Sequence, residues 1–119
     1  LYLTTATVNA STTAYSATSE ASGTNYTAGG VAVTNATTPS STNASATAGV
    51  AFWTPSASIT YTNVTLSTAF NAMLLYNSTQ SNKAVGVYTF GSQTITAGTF
   101  ALTMPSNTTT TALLRISTT

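Results

Sequence analysis

The sequence has no cysteine and no histidine, three prolines, and three charged side chains in 119 residues: Glu20, Lys83 and Arg115. Each scarcity excludes a class of protein. Without cysteine there is no disulfide framework and no thiolate metal site, so stability must come from packing. Without histidine, and with Glu20 as the only side-chain carboxylate, one chain can assemble neither a paired-acid site nor a Ser-His-Asp triad. Hard cations want several carboxylates and soft ones want His or Cys, so no metal and no cofactor is expected. Two separated cations cannot neutralise a row of phosphates, which argues against nucleic-acid binding. No apolar run reaches the roughly 18 residues of a membrane span, and no basic, signal-like segment opens the chain at Leu1. The sequence therefore reads as neither membrane-spanning nor visibly targeted. Its start without Met fits a processed or a trimmed chain.

What is present is hydroxyl and apolar surface. There are 30 Thr and 15 Ser, the hydrophobic fraction is 42%, and the net charge is +1. That much apolar content lifts the chain above disorder, and β-branched Thr favours a pleated strand. A surface nearly free of charge has little self-repulsion to keep copies apart, which suits a protein that lives packed.

Hydrophobic alternation predicts about eight short strands with no useful 3.6-residue period. They fall at Leu1 to Val8, Val31 to Val33, Val50 to Thr54, Ile59 to Leu66, Phe70 to Tyr76, Val85 to Phe90, Thr94 to Met104 and Ala112 to Ser117. Phe70, Ala72, Leu74 and Tyr76 share one face of their strand and Met73 and Leu75 the other, so both faces of that strand are expected to be covered. Long loops are expected at 9–30 and 37–48. The predicted fold is all-β: a single domain over 1–119, an antiparallel sandwich of jelly-roll-like or Ig-like kind.

Candidate chemistry is sparse. A hydroxyl activated by Lys83 is the one nucleophilic scheme the composition leaves, and Ser81-Asn82-Lys83 reads far better as a solvated turn. Gly29-Gly30 lacks both the dinucleotide spacing and a following Gly-Lys-Ser/Thr, so these are turn glycines rather than a phosphate loop. No small-molecule substrate and no catalytic residue is expected. Most aromatics belong to a core, with an outward Tyr or Trp the better contact residue. The residues picked as partner contacts are Leu1, Tyr2, Leu3, Leu113 and Arg115, on terminal strands whose backbone a neighbouring chain can complete, and the aromatics Tyr15, Tyr26 and Trp53. Seven Asn-x-Ser/Thr sequons, from Asn9 to Asn107, raise a rival reading as a secreted glycoprotein. Nine Asn among 45 hydroxyl residues give about three or four such matches by chance, so composition supplies most of that signal.

Thr12-Thr13-Ala14-Tyr15 followed by Asn25-Tyr26-Thr27-Ala28-Gly29-Gly30 resembles the opening of small structural proteins encoded among tailed-phage virion genes. The likeness runs on through Trp53, Thr62-Asn63-Val64-Thr65, Leu75-Tyr76-Asn77-Ser78, Ser81-Asn82-Lys83-Ala84-Val85, Phe90-Gly91 and Thr99-Phe100. It covers most of the chain, but Asn35 to Ala48 has no counterpart. The resemblance implies a non-enzymatic virion protein, foremost a capsid decoration or cement protein bound to the major capsid protein, other virion proteins and further copies of itself. A tail, neck or fibre component is the alternative within the particle. A glycan-binding surface module is the alternative outside it, and would need outward Trp53 and Tyr residues on one concave patch.

Overall fold

A computed structural model of the chain describes residues 1–35, 38–42 and 49–118. It is all-β, with six strands: β1 (Tyr2–Leu3), β2 (Ser40–Ser41), β3 (Val50–Trp53), β4 (Ile59–Asn77), β5 (Lys83–Leu102) and β6 (Leu114–Ser117). They form two antiparallel three-stranded sheets, ordered β1-β4-β5 and β2-β3-β6. The chain divides into two compact units, Leu1–Val31 with Tyr61–Phe100, and Ala32–Thr60 with Ala101–Thr119.

The count of six rather than eight has a physical origin in β4 and β5. The sequence reads as broken at Ser67 to Ala69 and at Gly91 to Gln93, where small and polar residues interrupt the apolar alternation, yet both stretches continue as strand. The irregularities lie elsewhere: Asn63 takes a positive φ of 52° where the buried positions shift from Ile59 and Tyr61 to Val64 and Leu66, and Ala97, before Gly98, takes φ 44°. The expected strands at 59–66 and 70–76 are thus one strand of 19 residues, and those at 85–90 and 94–104 merge into one of 20. No strand forms at Val31 to Val33, and the first strand is two residues rather than eight. Of the loop expected at 37–48, residues 38–42 are described and include β2, while 37 and 43–48 lie outside the described residues.

In the first unit, Tyr61, Val64, Leu66, Phe70, Ala72, Met73, Leu74 and Leu75 of β4 are all buried. The run from Ala72 to Leu75 has both faces covered, as expected of a central strand. Phe70 is fully buried, with Phe90 and Phe100 edge-on to it at ring-centroid distances of 6.0 and 5.1 Å. Side chains of this size each contribute roughly 2–3 kcal/mol by burial. The turn from β4 to β5 is closed by Asn77, whose Oδ1 accepts from the Thr79 N–H at 3.0 Å and its hydroxyl at 2.8 Å. Ser81 and Asn82 then turn the chain at positive φ.

β1 covers the β4 edge at Phe70 and Ala72. Further along that strand Thr24 takes over, accepting from the Thr65 N–H at 3.1 Å, while the Asn25 side-chain amide donates to the Asn63 carbonyl at 2.8 Å. That contact admits only glycine at position 23, because a Cβ there would lie 1.9 Å from the Thr65 carbonyl oxygen. The outer side of β1 is closed too: Leu3 N donates to Ser19 O and Ala21 N to Leu1 O, both at 2.9 Å. The first strand therefore offers no open edge to a neighbour, contrary to the expectation for Leu1 to Val8.

The second unit is smaller in every respect. β3 is sandwiched between β2 and β6, with Ser40 opposite Phe52 and Phe52 opposite Arg115. Its buried side chains include Thr54, Ile59 and Ala112. Thr54 carries its hydroxyl inward and satisfies it by accepting from the Leu113 N–H at 2.9 Å, as a buried polar group must.

Candidate functional site

Among the described residues, a dense polar arrangement is centred on Glu20, in the first unit. The residue lies opposite Tyr2 in an isolated antiparallel bridge, just after Ser19 has turned the chain at φ 59°. Its Oε2 accepts from the Tyr15 hydroxyl at 2.7 Å, and its Oε1 accepts from the Tyr26 hydroxyl at 2.9 Å and the Gly29 N–H at 2.8 Å. The Tyr26 hydroxyl in turn accepts from the Leu1 nitrogen at 2.9 Å. Gly29 and Gly30, at φ 85° and 82°, make the turn that aims the Gly29 N–H at the carboxylate, a backbone shape that a side chain would strain. The Gly29 carbonyl accepts from the Tyr76 hydroxyl at 2.9 Å. Two near-parallel ring stacks flank the carboxylate, Tyr15 on Tyr76 at 4.9 Å and Tyr26 on Tyr61 at 5.5 Å.

The electrostatics of this cluster favour neutral phenols. The hydrogen bond to Glu20, and then burial, push the Tyr15 hydroxyl up to about 12. Burial first, then the Glu20 charge, push Tyr61 up to about 12. Burial and the Glu20 hydrogen bond raise Tyr26 further still, and burial raises Tyr2. A raised pKa keeps these phenols protonated, the opposite of what a tyrosine acting as a base would need. Three donors from the 13–31 segment hold the carboxylate in place, and the Tyr76 hydrogen bond and the two ring stacks tie that segment to β4.

Lys83 and Arg115 bring no chemistry to it. Lys83 is exposed at the end of the β4–β5 turn, opposite Ala14. Arg115 belongs to the second unit, where its Nη1 donates to the Thr109 carbonyl at 3.3 Å and to the Thr110 carbonyl. Among the described residues no group of three His, Cys, Asp or Glu side chains stands together. A depression of about 320 Å³ lies beside the cluster, lined among others by Tyr2, Thr5, Val8, Thr12 and Ser16. None of its lining residues is charged, and the Tyr2 hydroxyl within it is already committed to Ser16, donating to the carbonyl and accepting from the N–H.

The residues picked as partner contacts fare unequally. Leu1 and Tyr2 are 5% and 3% exposed; they are core, because β1 is covered on both edges and its side chains pack inward. Leu3 is half-buried beside them, and Tyr15 and Tyr26 are half-buried with their hydroxyls spent on Glu20. Trp53 is half-buried on β3 and donates from Nε1 to the Asn35 side chain at 2.9 Å. Leu113 is half-buried and Arg115 exposed. Trp53 thus belongs to one unit and the tyrosine cluster to the other. Sequence reasoning missed the exposed apolar side chains: Ile116 on β6, 76% exposed, and Val85 on β5, 45% exposed. It also missed Glu20 as an anchor, although a lone acid among five nearby or stacked tyrosines was a usable signal. No family model, curated protein or solved structure matches this chain.

Proposed function

We propose that this chain is a non-enzymatic structural protein of a tailed-bacteriophage particle, acting as a capsid decoration or cement protein that packs on the major capsid protein. The observation that carries this reading is that the single carboxylate is consumed inside the fold, while apolar side chains face outward on strands at sheet edges. A protein so built is suited to packing. Its contacts would be apolar surface and uncharged hydrogen bonds, so its binding should depend little on salt.

The test is the copy number per purified particle, measured by quantitative mass spectrometry against the major capsid protein. Hundreds of copies in fixed ratio to the capsid protein support decoration. A few to a few dozen copies reassign the chain to tail, neck or fibre, and absence from particles overturns the reading.

A further inference from the structure

β5 is the terminal strand of its sheet. Its outer side is paired only at its beginning, where residues 13–15 lie along it: Ala84 N donates to Thr13 O and Tyr15 N donates to Asn82 O, both at 2.9 Å. From Val85 to Phe100, within the first unit, no other described segment pairs with that side. Sixteen residues of open strand measure about 50 Å at roughly 3.3 Å per residue. Natural sheets shield such edges with lysine, proline, bulges or brevity; this stretch has no charged residue, no proline and unusual length, and its irregularity at Ala97-Gly98 lies toward its far end.

We propose that the outer edge of β5 pairs antiparallel with the same edge of a second copy, around a two-fold axis close to Thr94. Two properties select a copy of this chain rather than another protein. The edge is uncharged, so a partner strand bearing Lys or Glu would lose hydration there and gain no counter-charge, whereas a second β5 is equally neutral. The edge is also self-complementary. Ser92, Thr94 and Thr96 are exposed and alternate along one face, and a two-fold axis at Thr94 sets Thr94 against Thr94 and Ser92 against Thr96. Hydroxyl pairs of this kind are favourable cross-strand neighbours, and an isologous contact closes at two chains without propagating. This surface names how copies associate within the assembly role proposed above, and it rests on that reading only for its biological setting.

The experiment is sedimentation equilibrium of the isolated chain over a concentration series, with hydrogen exchange at the two ends of the series. The expected result is a monomer–dimer equilibrium in which amides between residues 92 and 96 gain protection as the dimer forms. The double variant T94K/T96K sets like charges opposite each other across the axis and should dimerise about tenfold more weakly or worse. Lysine at exposed Ser67 of β4, off this edge, should leave the dimer intact. A monomer at every concentration overturns the proposal. So does a dimer unaffected by T94K/T96K, or protection that appears at 114–117 instead of 92–96. Exchange on the unaltered chain decides the matter even if the double variant misfolds. Because no particle is involved, failure here leaves the copy-number test standing, and failure there leaves this one standing.

Discussion

The two units of this chain solve the same problem with different materials. The first has long strands and a continuous apolar interior: Leu66, Phe70 and Val64 are at most 1% exposed, Glu20 gathers the segment between β1 and β4 through three hydrogen bonds, and Tyr76 and Tyr61 of β4 hold that segment by a hydrogen bond and ring stacks. The second has strands of two and four residues, and hydroxyls do much of its joining. Thr118 Oγ1 accepts from Gly49 N at 2.9 Å, Thr42 Oγ1 accepts from Val50 N at 3.1 Å, and Thr111 donates to the Ser106 carbonyl at 2.8 Å. A net hydrogen bond contributes about 1 kcal/mol, whereas a buried aromatic ring contributes two or three times that. A threonine-rich chain can therefore build sheet in either way, but only the apolar route gives a unit with stability in reserve.

The substitution that tests this contrast hardest is Phe70→Ala. It removes a fully buried ring with two edge-on aromatic neighbours, and should cost the first unit about 3–5 kcal/mol, measured by chemical denaturation followed through tyrosine fluorescence. Glu20→Ala comes next. It strands the Tyr15 and Tyr26 hydroxyls and the Gly29 N–H, and should cost about 2 kcal/mol, with faster exchange of the Gly29 amide as its local signature. If Glu20→Ala is neutral, the carboxylate is an ornament on the aromatic core and not its anchor.

Alkali attacks the same cluster by another route. A phenol whose folded pKa is raised binds its proton more tightly when folded, so its contribution is complete below its ordinary value of 10.0 and is lost as pH rises through about 12. The first unit should therefore hold up to about pH 10 and lose stability between there and pH 12. Near-ultraviolet circular dichroism should collapse together with the appearance of phenolate absorbance. Phenolate absorbance complete near pH 10, with no loss of structure, would break the argument.

In the second unit the corresponding change is Thr54→Val, which keeps the shape and deletes the acceptor of the Leu113 N–H. Leaving that partly buried amide unpaired should cost about 1–2 kcal/mol, less than Phe70→Ala but large for a unit with so small an interior.

How far this was readable beforehand differs between the units for the same physical reason. The β4 interior was legible, because burial on both faces writes itself as Phe70, Ala72, Met73, Leu74 and Leu75. The all-β class followed from composition. The strand count was not legible, since Ser67-Thr68-Ala69 and Gly91-Ser92-Gln93 carry the residue types of a turn while continuing as strand, and local sequence does not separate the two. Leu1 and Tyr2 looked like an edge because nothing local reveals that residues 19–21 come back to cover it. The Glu20 cluster spans Tyr15 to Tyr76, and its partners are brought together only by the fold.

The smallest expected effect on stability belongs to Ile116, and it separates folding from packing most cleanly. Ile116 sits on β6, the terminal strand of the second sheet, opposite Ala51 and 76% exposed. An isolated exposed isoleucine needs no explanation, but one on an open sheet edge is positioned to pack against whatever covers that edge. Ile116→Thr keeps the β-branch, and so the strand preference, while removing apolar area. Stability should change by less than about 0.5 kcal/mol. On the proposed capsid role, retention of the chain on purified particles should fall, read as copies remaining after washing. If stability drops instead and retention does not, Ile116 serves the interior of its own unit, and the division of labour between an apolar unit and a hydroxyl-joined one is wrong at that point.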